Sequence, residues 1–478
     1  MAGYRSDPNL LQNHDPRRDH DSRRSGASKT LTAAVLAVLA TLLMSASFAA
    51  AEIDDSSAEP CWTHRITLPH VGDDVAWDVT MTSTATWVTG ELWHGDERRY
   101  DASLLRILKG ESFPPAPQAW NSSNSDDDAN YDVAVRSTYV YTSGVWVNLA
   151  SDLDMLVIRW TAAGDAVKWA RRVNGAAKLD DVAEDVGIDG DGNVVVCGTT
   201  EGANGRDWMV VKYSPLGTRK WTWIYDGPAH LNDVPIEMYV DGTGNAYVTG
   251  TITTTPTLTA AYTVKLSPAG VRLWGRRYTG PALEPSRTSA VALARCPGGG
   301  VYIGGTTWSG TSLDDMYIAR YTAAGEKTVF EYGYPACGGV DDDLRDIAVA
   351  SNGAVIGVGQ YNDGDPSWYV WDTSGHLYGG ARLFTAGTDG WQAVATDSIG
   401  GFYMTKPYDS PSDYPAIRTQ RFSVMPRGGM WTSDWAPELY QREVKAIAAN
   451  GTTVAAVGTD ATDSGWYGYD QLVNIWTY

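Results

Sequence analysis

At 478 residues, with 43% hydrophobic and 20% charged content, the chain carries enough apolar material for a large buried core and is not a disordered polymer. Its formal charge of −20 repels polyanions, which argues against nucleic acid as a partner. Gly (50), Trp (20) and Tyr (26) are abundant while Phe (6) is scarce, a composition of strands and tight turns.

The chain opens as a targeting segment. Arg5, Arg17, Arg18, Arg23, Arg24 and Lys29 precede an apolar run from Leu31 to Ala51, and Ala49-Ala50-Ala51 offers small residues for cleavage before Glu52. Residues 1–51 are therefore expected to be a signal peptide. The rival reading is an uncleaved membrane anchor, because about 20 apolar residues span a bilayer. Arg23-Arg24 resembles a twin-arginine signal but lacks the apolar pair that should follow it. Residues 52–60 read as a short linker, and removal of the leader leaves 31 basic and 53 acidic residues.

From residue 61 onward one pattern recurs. Residues 181–227 show it as DVAEDVGIDGDGNVVVCG, DWMVVKYSPLG and TRKWTWIYDG, and residues 233–280 repeat it. Each unit contains four strand-like runs, a to d, separated by turns. Run b ends at Gly90, Gly144, Gly198, Gly250, Gly305, Gly359, Lys406 and Gly458, with spacings of 54, 54, 52, 55, 54, 47 and 52. Eight units of near-constant length with four strands each predict an all-β, eight-bladed β-propeller of four-stranded antiparallel blades, a single domain over 61–478. Gly192, Gly244, Gly299, Gly353 and Gly400 mark the a–b turn, and Gly164, Gly217, Gly270, Gly325 and Gly375 the c–d turn. Run d opens with Trp169, Trp221 or Trp274, placed for packing between blades.

The ends of the pattern complement each other. The eighth unit stops after run c (Asp470 to Trp476), while residues 61–69, CWTHRITLP, look like an orphan run d with Trp62 in the repeated position. Pairing the two would close the ring and remove two exposed edges. NAYVTG, DWMVVKY and SPLGTRKW resemble the SBBP-type β-propeller repeat of exported bacterial proteins, over about residues 61–478 and most closely in units 2 to 5. The resemblance implies a propeller and export; it implies no reaction.

Chemistry-bearing residues recur with the repeat. Asp78, Asp132, Asp185, Glu237 and Asp346 share one position in run a, with Ala292, Ala393 and Lys445 at the remaining three. As residues of the innermost strand they surround the central channel. Convergent carboxylates bind hard cations, so these five are the candidate metal ligands and Ca²⁺ the candidate ion. The competing reading, favoured here, makes them acceptors for a neighbouring blade's backbone. Asp73-Asp74, Asp126-Asp127-Asp128, Asp180-Asp181, Asp233, Asp341-Asp342-Asp343 and Asp389 crowd the face formed by the d–a and b–c connections, and read as solvated loop ends. Trp93 and Trp308 lie three residues past a run-b end and are the candidate ligand contacts; the alternative folds them back onto their blades. Asp189-Gly190-Asp191-Gly192-Asn193 imitates an EF-hand opening, but Val194 and Thr200 occupy the obligatory Gly and Glu positions, so a hairpin turn is expected.

Four scattered cysteines form no metal pattern. Cys197 is expected to be buried and unpaired, and Cys296 and Cys337 too far apart to bond. No H-E-x-x-H or G-x-S-x-G signature appears, and no catalytic residue or cofactor is assigned. The expectation is a non-catalytic, secreted or cell-surface module that binds a protein or glycan. A membrane partner enters only through an uncleaved leader. The alternative is a quinone-dependent or metal-assisted propeller enzyme with its site in the acidic channel mouth.

Overall fold

The computed structural model describes residues 74–94, 99–111, 116–122, 127–147, 152–280, 287–308, 314–330, 342–361, 365–382, 390–398, 401–409, 415–423, 431–435, 442–451, 453–461 and 469–477. The expected leader, the linker and the strand at 61–69 lie outside these residues, as do Cys61 and Cys337. Among the described residues every regular element is a β-strand, numbered β1 to β31 in chain order. They pair into eight antiparallel sheets in which strand order follows chain order. Seven sheets have four strands; the eighth has three: β29 (Arg442–Asn450), β30 (Thr453–Ala461) and β31 (Tyr469–Thr477).

Burial peaks in the two middle strands of a sheet and is lowest at its outer edge. In the third sheet β10 (Val194–Glu201), VVVCGTTE, is buried on both faces, whereas the last strand β12 (Arg219–Tyr225), RKWTWIY, is largely exposed. This second strand opens on the apolar run Val194–Cys197, while the inner strand β9 (Asp181–Ile188) alternates buried and half-buried residues, and the outer edge carries Arg and Lys that discourage pairing with another chain. Sheets stack face to face. Val195, Cys197, Trp208 and Val210 of the third share a core with Met238, Val248, Ala260 and Val264 of the fourth. The first sheet likewise meets the last, through Ala76, Val88, Leu105 and Ile107 against Ala455, Val457 and Ile475. This is the architecture of a β-propeller.

The inner strands are β1 (Val75–Met81), β5 (Asp128–Arg136), β9 (Asp181–Ile188), β13 (Val234–Val240), β17 (Arg287–Arg295), β21 (Asp342–Val349), β25 (Ala393–Thr396) and β29. All but β25 contain a bulge directly before the repeated acid position, as at Ala76/Asp78 and Asn130/Asp132; in β29 the bulge falls on Lys445, so Ala446 and not Lys445 holds the repeated position. The bulge explains the glycine that ends run b. A Cβ on Gly90, Gly144 or Gly198 would sit 1.9, 2.0 or 2.0 Å from the carbonyl oxygen of Val75, Ala129 or Val182. The seventh sheet departs from the rule because β25 begins at Ala393, opposite Thr405, so no β25 carbonyl faces Lys406. The a–b and c–d turn glycines that are described all adopt positive φ, Gly192 at 79° and Gly217 at 77° among them. Cys197 and Cys296 are buried and free.

Candidate functional site

The bulge turns the repeated acids toward the next inner strand. The N–H of Val133 donates to Asp78 Oδ2 (3.2 Å), that of Val186 to Asp132 Oδ2 (2.6 Å), and that of Val394 to Asp346 Oδ2 (2.8 Å). Asp185 receives the N–H of Met238 and Glu237 that of Leu293 in the same way. Each donor sits one residue beyond the homologous position of the following strand, so the five carboxylates stitch successive sheets together. Asp132 also lies beside Asp78 on one side and Asp185 on the other, so the three carboxyls titrate as a coupled group.

Burial dominates their electrostatics. It lifts Asp78, Asp132 and Glu237 well above the usual carboxylate range, reinforced by the neighbouring acids. Asp185 and Asp346 rise to about 7, burial again leading and the backbone donors opposing it. The five residues are thus brought together as expected, and their observed partners are those of the inter-sheet reading.

Five of the acids on the connection face are not solvated loop ends, whereas Asp127 is exposed. Asp74, Asp128, Asp181, Asp233 and Asp342 are buried. Asp128 Oδ2 accepts the N–H of Ser122 (2.8 Å), and Asp181 and Asp233 accept those of Gly175 and Gly227, closing each d–a loop. Asp74 and Asp233 also hold the b–c connections through Trp93 N (2.7 Å) and Thr253 N (2.7 Å). The preceding residues reach back one sheet: Asp127 accepts from Tyr100 N (2.8 Å) and Asp180 from Leu153 N (3.0 Å). A short acid at a loop start satisfies buried N–H groups that the sheet ladder leaves over, and this overrides the solvation expected from charge alone. Asp73, Asp126, Asp341 and Asp389 lie outside the described residues.

Asp189 likewise folds its turn. Its Oδ1 accepts the N–H of Asp191 and Asn193 (both 2.9 Å), and its Oδ2 pairs with Lys212 Nζ at 2.8 Å. Burial alone would raise Asp189, but Lys212 and Asn193 outweigh it and the net shift is downward. The repeated tryptophans bridge sheets, with Nε1 of Trp169, Trp221 and Trp274 donating to the carbonyls of Pro215 (3.0 Å), Pro268 (2.9 Å) and Ala323 (3.2 Å) in the next c–d turn.

Trp93 and Trp308 are half-buried and each packs on its cross-strand partner. Trp93 lies 4.9 Å from the Tyr100 ring, and the Arg287 guanidinium sits 4.6 Å over Trp308. Trp93 is folded back onto its own sheet. Trp308 also lines a pocket of about 430 Å³ on the connection face between the fifth and sixth sheets, with Arg287, Ser289, Thr306, Asp314, Asp343 and Arg345 among its walls. There Arg345 Nη2 approaches Asp343 Oδ2 at 3.5 Å, and Gln360 Nε2 donates to the same oxygen (3.0 Å). Arg287 and Arg345 escaped the sequence reading because they recur in no other unit.

Asp207, Asp226 and Asp233 bring carboxylate oxygens within 4.8 Å of one another. Asp233 is already committed to two backbone donors, and Asp226 holds His230 Nδ1 at 2.6 Å. Burial and the two neighbouring acids raise Asp207 to about 6.

No protein-family model matches the chain, and no curated protein matches it in sequence. Solved structures resemble it in fold. The WD40 domain of SCAP from fission yeast aligns over 87% of this chain and 98% of its own, at 8% identity and a TM-score of 0.50. Polysaccharide lyase Uly1 aligns over 78% and 93%, at 9% identity and 0.49. The β-propeller domain of the Trilobed protease from Pyrococcus furiosus aligns over 72% and 94%, at 8% identity and 0.42. The likeness to the WD40 domain, at 8% identity, speaks for a shared propeller fold alone and carries no activity.

Proposed function

We propose that the chain is an exported, SBBP-like, eight-bladed propeller that acts without catalysis as an extracellular binding module for a glycan or protein. Residues 61–69 would complete the eighth sheet beside β31 and lock the ring. The contact between the first and last sheets and the three-stranded eighth sheet support that closure. The observation that carries the binding role is the pocket at Trp308. It combines an aromatic wall with guanidinium, carboxylate and hydroxyl groups, the set that recognises a sugar or a polar side chain. The channel acids support binding over an enzyme, because their oxygens are taken up by backbone donors. The reading needs no cofactor, and Ca²⁺ in the channel is the alternative that melting curves decide. A glycan and protein screen tests the role. A ligand retained by the native protein and lost, by about tenfold or more, on Trp308→Ala or Arg287→Ala supports it. Retention by both variants, or turnover of the ligand, overturns it.

A further inference from the structure

The opposite end of the channel, where the a–b turns meet, holds a second pocket of about 500 Å³. Val135, Ile188 and Val240 form its aliphatic wall, each three residues beyond the acid position of its strand. The fifth sheet breaks this series: at the same position β17 carries Arg295, which enters the pocket beside Arg136 from β5. Repetition accounts for recurring residues but not for an arginine substituted into an aliphatic ring.

Both arginines are exposed, and among the described residues neither has a carboxylate within ion-pair distance. Arg136 is fixed by its Nη1, which donates to the carbonyl of Ile188 (3.2 Å). Tyr239 stands on the same wall, close enough for both guanidiniums to oppose the effect of burial on its phenol. The nearby Asp241 is occupied by Thr243 and Asn245 and does not neutralise them. In a chain of net charge −20, two unpaired guanidiniums facing one concavity are a local reversal of sign.

We propose that this pocket binds a small organic carboxylate, held by Arg136 and Arg295, with Tyr239 as a further donor and the carbon skeleton against Val135, Ile188 and Val240. The planar guanidinium fork matches a carboxylate bidentately, and the pocket volume lies in the range of small-ligand sites. The aliphatic wall favours an organic acid over a bare inorganic anion, which gains nothing from apolar contact.

Titration calorimetry with acetate, succinate and benzoate tests this, with sodium sulfate and succinamide as controls. The expected result is saturable binding of at least one carboxylate at millimolar concentration or below, weakened about tenfold by Arg295→Gln and absent for succinamide. Among the described residues the Arg295 side chain makes no hydrogen bond or ion pair, so an unchanged melting curve is expected alongside the lost binding. Arg136→Gln is the second variant, and its own melt separates lost binding from the lost Ile188 bond. Equal binding by Arg295→Gln, sulfate binding as tight as any carboxylate, or no carboxylate binding overturns the proposal. Trp308→Ala leaves this binding intact, so failure here is distinct from failure of the pocket on the other face.

Discussion

The inner strands carry two kinds of charged residue, and the fold treats them in opposite ways. Asp78, Asp132, Asp185, Glu237 and Asp346 recur, are enclosed between sheets, and each receives a backbone N–H from the next strand. Arg136 and Arg295 sit near the ends of two of the same strands, recur nowhere at matching positions, and stay exposed without a counter-charge among the described residues. A residue copied in every unit is explained by the contact every unit makes. A residue that breaks the copy needs another reason, and the same logic singles out Arg287 and Arg345 around Trp308.

The largest effect is expected where a buried charge loses its partner. Lys212 and Asp189 form an ion pair in which both side chains are almost wholly enclosed. Lys212→Met leaves Asp189 without its cation, though still hydrogen-bonded by Asp191 and Asn193, and should cost roughly 3 kcal/mol in denaturant unfolding. Adding Asp189→Asn should recover part of the loss. A single variant as stable as the native protein would show that enclosure of charge is not what distinguishes this class. Asp132→Ala ranks next: it orphans the N–H of Val186 and should cost about 1–3 kcal/mol. Asp132→Asn keeps the acceptor, imitates the neutral acid, and should cost less than the Ala change at every pH.

The repeated antiparallel sheets of the propeller were legible in the sequence, because their spacing signal has a steric cause. Gly90, Gly144 and Gly198 lie where a Cβ would strike a carbonyl of the inner strand next to its bulge, so each unit whose inner strand reaches that far must place a glycine there. The turn glycines and the Trp169, Trp221 and Trp274 bridges were legible for similar reasons. The positions of the five channel acids could be read, and their inter-sheet role followed from repetition. The burial of Asp128, Asp181 and Asp233 could not, since a carboxylate at a loop start looks solvated until the N–H groups it closes are located. Nor could the convergence of Arg136 and Arg295, which belong to the second and fifth sheets and meet only at one pocket of the folded chain.

The most direct test of the distinction between copied and uncopied charge is the pH dependence of melting, with and without millimolar Ca²⁺, for the native chain and Asp185→Asn. The folded-state value for Asp185 and Asp346 is about 7, against about 4 for an unfolded carboxyl. Between these values the folded chain holds more protons than the unfolded one, so stability declines as pH rises from about 4 to 7 and then levels off for these two groups. The account predicts that decline in the native chain, a shallower one in Asp185→Asn, and no shift with Ca²⁺ beyond matched ionic strength. Stability that rises with pH over this window, or a Ca²⁺-specific gain abolished by Asp185→Asn, would contradict it and make the acids a cation site.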